Sequence, residues 1–141
     1  MLDNSIFNHI SIVGLGYIGL PTAALCAARG HRVTGVDVNP TVVETVNAGN
    51  IHIVEPELDG IVRKAVGDGK LQATTQPEAA DVFVIAVPTP IEADNQPNLD
   101  YVKSASELVA PHLAPGTLVI LESTSPVGTT RKMAGWMAAL R

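Results

Sequence analysis

A glycine-rich turn between a predicted strand and a predicted helix constrains the fold of this chain more than any other feature. The turn, GLGYIG, occupies residues 14–19. A short run rich in β-branched residues, 9–13, precedes it, and a stretch rich in alanine and leucine, 17–29, follows it. A strand, a tight turn and a helix in this order are the beginning of a βαβ unit, whose strands are parallel.

The residues of the turn predict a site for an anion. Gly14 permits the tight turn, Gly16 lets the backbone come close to a phosphate group, and Gly19 lets the helix pack against the strand. The N–H groups at the start of the helix, those of Tyr17 and Ile18, have no acceptor within the helix. We therefore expect them to bind the oxygens of a pyrophosphate.

Strand and helix patterns alternate along the rest of the chain. Strands are predicted at 9–13, 32–38, 71–75, 81–87 and 117–121, and helices at 17–29, 40–48, 55–66, 99–112 and 129–141. This alternation predicts an α/β fold, a Rossmann-type doubly wound parallel sheet that forms a single domain over residues 1–141. Ligands of such sheets bind at the carboxyl ends of the strands.

Asp37, at the end of the second strand, indicates which ligand to expect. It lies 18 residues after Gly19, where dinucleotide-binding domains carry an acidic residue. Its carboxylate can accept hydrogen bonds from an adenosine ribose and would repel a 2′-phosphate. Residues 38–40 supply no arginine to offset that repulsion. The sequence therefore predicts NAD rather than NADP, and FAD is the least favoured alternative.

Hydroxyl residues follow the fourth and fifth predicted strands. Thr89 lies in the segment VPTP, where its hydroxyl can contact a ribose or the nicotinamide. Thr124 and Thr130 lie in the segment ESTSPVGTT, where capping or turn formation competes with ligand contact. We expect a Ser or Thr of this segment to be the N-cap of the last helix, and Asn39 to be that of the helix at 40–48.

Composition limits the expected partners. The net charge is −5 and the nine basic residues are scattered, which disfavours nucleic acid and anionic membrane. The single cysteine, Cys26, allows no intramolecular disulfide, and the four histidines lack metal-ligand spacing. The sequence contains neither a signal-peptide pattern nor a membrane-spanning run, so we expect a cytoplasmic protein.

Five segments together resemble the UDP-glucose/GDP-mannose dehydrogenase family: IVGLGYIGLPTA, GVDVNP, IHIVEPEL, IAVPTP and LESTSPVGTT. The two hydroxyl-bearing segments are more specific to this family than the glycine turn, and IHIVEPEL points to its N-acetylmannosamine branch. The resemblance implies oxidation of the C6 alcohol of a UDP-sugar to a carboxylate, with reduction of two NAD. The NAD-binding positions that it implies are Gly14, Gly16, Tyr17, Ile18, Gly19, Asp37, Thr89, Thr124 and Thr130.

The resemblance also implies that part of the enzyme lies beyond this chain. Family members are considerably longer, and their nucleophilic cysteine, its lysine partner and the sugar pocket follow the region that matches. We therefore expect an N-terminal domain of a two-domain, homodimeric enzyme, with no catalytic residue of its own. Cys26, set among alanines, is expected to be a buried core residue. The alternative is a stand-alone module that senses NAD and regulates a partner.

Overall fold

Within residues 7–140, which this computed structural model describes, five strands form one parallel sheet. They are β1 (His9–Val13), β2 (Arg32–Val36), β3 (Leu71–Thr74), β4 (Val82–Ile85) and β5 (Leu118–Leu121). Their order in the sheet is β3-β2-β1-β4-β5, so the chain builds outwards first on one side of β1 and then on the other. The order is that of a doubly wound sheet and confirms the predicted fold class.

Helices cover both faces of this sheet. They are α1 (Gly19–Ala28), α2 (Pro40–Asn47), α3 (Leu58–Gly67), α4 (Asp100–Val109) and α5 (Thr129–Ala138). The side chains of Val82 and Val84 belong to the core under α1 and α3, whereas those of Phe83 and Ile85 belong to the core under α4 and α5. Strand β4 is therefore buried on both faces, as its continuous apolar sequence requires.

Local hydrogen bonds and backbone conformation set where the first helices begin. Asn39 caps α2 as predicted, because its Oδ1 accepts the N–H of Thr41 at 3.0 Å. Helix α3 begins at Leu58, later than predicted, since Glu57 adopts a left-handed φ of +67° and cannot continue a helix. The helices predicted from periodicity are present, and the differences concern their ends.

The beginning of α5 differs from the prediction. Its N-cap is Gly128, with a φ of +91°, and no side chain caps the helix, so the expectation of a Ser or Thr N-cap is wrong. A left-handed residue is needed at this point, and glycine adopts that conformation at the least cost. The hydroxyl of Thr129 donates instead to the carbonyl of Pro126 at 2.7 Å. The helix ends at Ala138, and Arg141 lies outside the described residues.

The register of the sheet brings the ends of four strands to one level. Val13 of β1 pairs with Val36 of β2 and with Ile85 of β4, and Ile85 pairs with Leu121 of β5. The segments that follow these strands therefore start side by side at the carboxyl edge of the sheet. This is the edge at which doubly wound sheets bind their ligands.

The opposite edge of the sheet carries a buried histidine. His9 begins β1, and its Nε2 lies 2.7 Å from the Thr34 hydroxyl and 3.8 Å from the Glu78 carboxylate. Burial, and then the nearby Arg32 guanidinium, lower the pKa of His9 from its ordinary value of 6.5, although the carboxylates of Glu78 and Asp81 oppose them. The fold therefore favours the neutral imidazole.

We predict that His9 makes the protein less stable at mildly acidic pH. Because the pKa is lowered in the folded state, the unfolded chain takes up the proton first. The stabilisation is complete above pH 6.5 and is lost as the pH falls through the folded-state pKa. Thermal unfolding at about pH 7.5 and about pH 5.5 checks this. The decrease in Tm should be smaller in His9→Gln than in wild type or in the exposed control His52→Gln, and equal decreases would refute the prediction.

Candidate functional site

A cavity of about 650 Å³ opens at the carboxyl edge of the sheet. Four parts of the chain form its walls: the glycine turn, the end of β2, the segment after β4 and one face of α4. Most of the wall is apolar, as in many small-molecule sites. Its lining residues are 13–18, 36–38, 86–88, Tyr101, Ser104, Ala105 and Leu108.

The three glycines of the turn have different surroundings. Gly14 has a φ of +99°, and a Cβ there would lie 2.6 Å from the carbonyl oxygen of Ala86. A Cβ on Gly19 would overlap the carbonyl oxygen of Gly14. A Cβ on Gly16 would meet no atom within 4 Å. Gly14 and Gly19 are therefore needed for packing, whereas Gly16 leaves its backbone open to a ligand.

The backbone after Gly16 offers hydrogen-bond donors. Helix α1 begins at Gly19, two residues later than predicted, so Tyr17 and Ile18 lie in the turn before it. In the described part of the chain, the N–H groups of Gly16, Tyr17 and Ile18 have no intramolecular acceptor. Gly16, Tyr17 and Ile18 line the cavity, and donors at the start of a helix bind anions.

Asp37 lies on the same cavity wall as the glycine turn. Its Oδ2 accepts the N–H of Leu15 at 3.0 Å, and its Oδ1 accepts the N–H of Asn39 at 3.0 Å. Each carboxylate oxygen has a second lone pair that can accept another hydrogen bond. The carboxylate is thus held in a fixed orientation and can still bind the hydroxyl groups of a ligand. The structure therefore places Asp37 in contact with the glycine turn, and the sequence analysis had assigned both to one site.

The loops after β4 and β5 are joined by hydroxyl groups. The Thr89 hydroxyl donates to the carbonyl of Thr124 at 2.6 Å, and the Ser123 hydroxyl donates to the carbonyl of Val87 at 2.7 Å. None of Thr89, Thr124 and Thr130 is among the described residues that line the cavity. Because its proton is already used, the Thr89 hydroxyl can only accept a hydrogen bond from a ligand. Sequence reasoning did not single out Ser123, whose only signal is its hydroxyl-rich segment.

One face of α4 forms a cavity wall that the sequence analysis did not identify. Tyr101, Ser104, Ala105 and Leu108 follow the spacing of one helical face. Tyr101 is 52% exposed although it lies on a mainly apolar face. The same spacing also describes a helix face that packs against a core, so periodicity alone does not assign it to a ligand site.

Cys26 does not have the surroundings of a nucleophile. It is partly buried and packs against the core, which is less burial than predicted. Burial, followed by the charge of the Glu122 carboxylate, raises the pKa of the thiol and keeps it protonated. Among residues 7–140, no group of three or more His, Cys, Asp and Glu side chains could hold a metal ion. In the same range, no helix has the length and apolar character needed to cross a membrane.

Known proteins match this chain over almost its whole length. Residues 8–140 match the NAD binding domain of the UDP-glucose/GDP-mannose dehydrogenase family. The chain is 59% identical over 136 residues to UDP-N-acetyl-D-mannosamine dehydrogenase of Campylobacter jejuni, covering 96% of this chain and 33% of that protein. It is 56% identical over 135 residues to NDP-N-acetyl-D-galactosaminuronic acid dehydrogenase of Ralstonia nicotianae, covering 96% of this chain and 32% of the relative.

A solved structure shows the same architecture. The UDP-D-ManNAc dehydrogenase of Pyrococcus horikoshii is 42% identical, with a TM-score of 0.89, over 94% of this chain and 32% of that one. The chain thus spans about one third of the length of the relatives that it matches. The expected cofactor, NAD, agrees with the matched family and fits an apolar cavity that has an open glycine backbone and an acidic residue. This chain belongs to the UDP-glucose/GDP-mannose dehydrogenase family and corresponds to its NAD-binding domain.

Proposed function

We propose that residues 1–141 form the N-terminal, NAD-binding domain of a longer nucleotide-sugar 6-dehydrogenase. The observation that carries this proposal is the cavity, which places an open glycine, backbone N–H donors without acceptors and Asp37 on adjoining walls. The length of the relatives supports the second part of the proposal, because the chain covers only 33% of the Campylobacter jejuni enzyme.

The residues of the cavity fit the adenosine and pyrophosphate parts of NAD. The N–H groups of Gly16, Tyr17 and Ile18 would hold the pyrophosphate, because these residues line the cavity and their N–H groups have no intramolecular acceptor. Asp37 would accept hydrogen bonds from the adenosine ribose, since each of its oxygens has a free lone pair. Gly14 contributes by shaping the turn, as does Gly19.

The hydroxyl residues of the two joined loops would serve the nicotinamide part of NAD. Thr89 would accept a hydrogen bond from the carboxamide N–H, the only role that its donated proton leaves open. Thr124 and Thr130 have exposed side chains, and we assign them to the same end of the cofactor. Bound NAD supplies the hydride acceptor, and these residues hold and orient it.

For the full-length enzyme we propose oxidation of the C6 alcohol of UDP-N-acetylmannosamine to the carboxylate. The reaction consumes one water and reduces two NAD to NADH. The mannosamine dehydrogenase of Campylobacter jejuni, at 59% identity, supports this substrate, and so does the IHIVEPEL segment. The galactosaminuronic acid dehydrogenase of Ralstonia nicotianae follows at 56%, which indicates that the NAD-binding domain varies little with the sugar. The sugar pocket itself would lie in the rest of the enzyme.

The chemistry of the sugar requires groups that the cavity does not contain. Asp37 is the one charged side chain among the described residues that line it, and Cys26 has a raised pKa. We therefore propose that the chain alone turns over no sugar nucleotide and that the nucleophile belongs to the remainder of the enzyme. We further propose that the full-length protein is a homodimer that works in the cytoplasm, where NAD and nucleotide sugars are available.

We predict that the purified chain binds NAD and discriminates against NADP. The 2′-phosphate would meet the Asp37 carboxylate, so NADP should bind at least about tenfold more weakly. Isothermal titration calorimetry with both dinucleotides measures this ratio. Addition of UDP-N-acetylmannosamine and NAD should yield no NADH absorbance. Equal affinity for NADP would contradict the role given to Asp37, and NADH formation would contradict the expected lack of activity.

A second prediction separates the binding role of Gly16 from the packing role of Gly19. Gly16→Ala should leave Tm within a few degrees of wild type, because its Cβ meets no atom within 4 Å. Its methyl group occupies the space next to the N–H donors, so NAD affinity should fall about tenfold or more. Gly19→Ala should cost about 3 kcal/mol or more, roughly 10 °C in Tm, since its Cβ overlaps the Gly14 carbonyl.

The control for both variants is Gly60→Ala. Gly60 lies within α3, and a Cβ there also meets no atom within 4 Å. Alanine at this exposed helical position should keep or slightly raise Tm and leave NAD affinity unchanged. The assignment of the pyrophosphate to this turn fails if Gly16→Ala binds NAD as tightly as the control.

A further inference from the structure

The end of β2 holds the glycine turn through consecutive residues. The carbonyl of Val36 accepts the N–H of Gly14 at 2.8 Å. The next residue, Asp37, accepts the N–H of Leu15 on its Oδ2 at 3.0 Å. The first hydrogen bond uses only backbone atoms, whereas the second depends on the side chain at position 37. The identity of that side chain therefore affects the turn itself.

The side chain of Leu15 is fixed by the same strand. Leu15 is fully buried, and a Cβ on Gly35 would lie only 2.8 Å from its Cδ2. Glycine at position 35 thus provides the space into which Leu15 packs. Three consecutive residues therefore hold the turn. Gly35 leaves space for the Leu15 side chain, the Val36 carbonyl accepts the Gly14 N–H, and the Asp37 carboxylate accepts the Leu15 N–H. Gly16, the next residue of the turn, begins the row of free N–H donors.

The carboxylate of Asp37 is itself held from its other side. Its Oδ1 accepts the N–H of Asn39 at 3.0 Å, so both oxygens have a backbone donor. The geometry points to a second role of Asp37, as the positioning residue that holds the glycine turn in the shape that receives the pyrophosphate. This inference rests on the proposed NAD function and adds to it. Asp37 acts on the adenosine ribose by contact and on the pyrophosphate through Leu15.

Loss of the carboxylate would leave the Leu15 N–H without its acceptor. A buried N–H that lacks a partner is costly, so the turn would rearrange to find another one. Any rearrangement at Leu15 displaces Gly16 and the donors that follow it. It follows that replacing Asp37 weakens binding of every ligand that carries the pyrophosphate, whether or not it has ribose hydroxyls. Removing the acid would therefore not suffice to create an NADP site.

Two ligands that differ only in the ribose test this role. ADP and 2′,3′-dideoxy-ADP both carry adenine and a pyrophosphate, but the second lacks the hydroxyls that Asp37 would contact. Their dissociation constants are measured by chemical-shift titration for wild type, for Asp37→Asn and for Asp59→Asn. Asp59 is an exposed carboxylate on α3 and does not line the cavity, so its variant is the matched control.

Asparagine at position 37 is neutral and has an NH2 group in place of one oxygen. Whichever N–H faces that NH2 group loses its partner, and the other keeps only a neutral hydrogen bond, about half as strong as the present one. We expect Asp37→Asn to bind 2′,3′-dideoxy-ADP roughly tenfold more weakly than wild type and Asp59→Asn do. The loss for ADP should be larger, because the ribose contact is weakened as well. Equal affinity of Asp37→Asn and wild type for the dideoxy ligand would overturn the positioning role and leave the ribose contact intact.

Amide hydrogen exchange gives a readout that does not depend on ligand. In wild type, the Leu15 amide should be protected, and Asp37→Asn should accelerate its exchange roughly tenfold or more. The neighbouring Gly14 amide, bonded to the Val36 carbonyl, should change less and shows that the variant is folded. Unchanged exchange at Leu15 would overturn the inference. Failure of wild type to bind NAD and ADP at all would instead refute the proposed cofactor site, on which the inference rests.

Discussion

The arrangement of the molecule depends on the close contact between the start of α1 and the end of β1. Gly19 lies so near the Gly14 carbonyl that no Cβ fits between them, and a Cβ on Gly14 would lie 2.6 Å from the carbonyl oxygen of Ala86, which follows β4. Because the helix begins directly after the strand, the residues with unpaired N–H groups, Gly16, Tyr17 and Ile18, lie in the turn between them and line the cavity. The same contact lets α1 cover the sheet. The same two glycines are therefore required both for packing of the core and for the position of the proposed anion site.

This arrangement explains how a chain with a net charge of −5 can hold a cofactor with a negatively charged pyrophosphate. The cavity has no lysine or arginine among its described lining residues, and Asp37 is its one charged group. The attraction for the pyrophosphate would then come from backbone N–H dipoles. Folding already orders these dipoles, so binding requires no further ordering of them. In the proposed binding mode, the acid is tolerated close to the pyrophosphate because the N–H groups of Leu15 and Asn39 are bonded to it.

The sequence predicted the features whose cause is local or periodic. The glycine turn, Asp37 and the five strands could be read from residue type and spacing, and Asn39 from its position before Pro40. The wall formed by α4 could not, because Tyr101 and Ser104 acquire their place only when β4 and α4 pack beside β1. The same holds for the hydrogen bond from Ser123 to Val87, which joins residues 36 positions apart. Such contacts depend on tertiary structure, which no short pattern encodes.

The loops after β4 and β5 support the proposal that this domain orients the cofactor and performs no chemistry on the sugar. The hydroxyls of Thr89 and Ser123 are used to join the two loops, so they stiffen the edge of the site and have no proton to give a substrate. Asp37 is bonded to two N–H groups, and burial raises the pKa of Cys26. A general base or a thiolate must have a free lone pair directed at the substrate. Asp37 is engaged by the glycine turn and the Cys26 thiol is protonated, so we propose that the reacting groups are brought to this edge by the part of the enzyme that the relatives carry in addition.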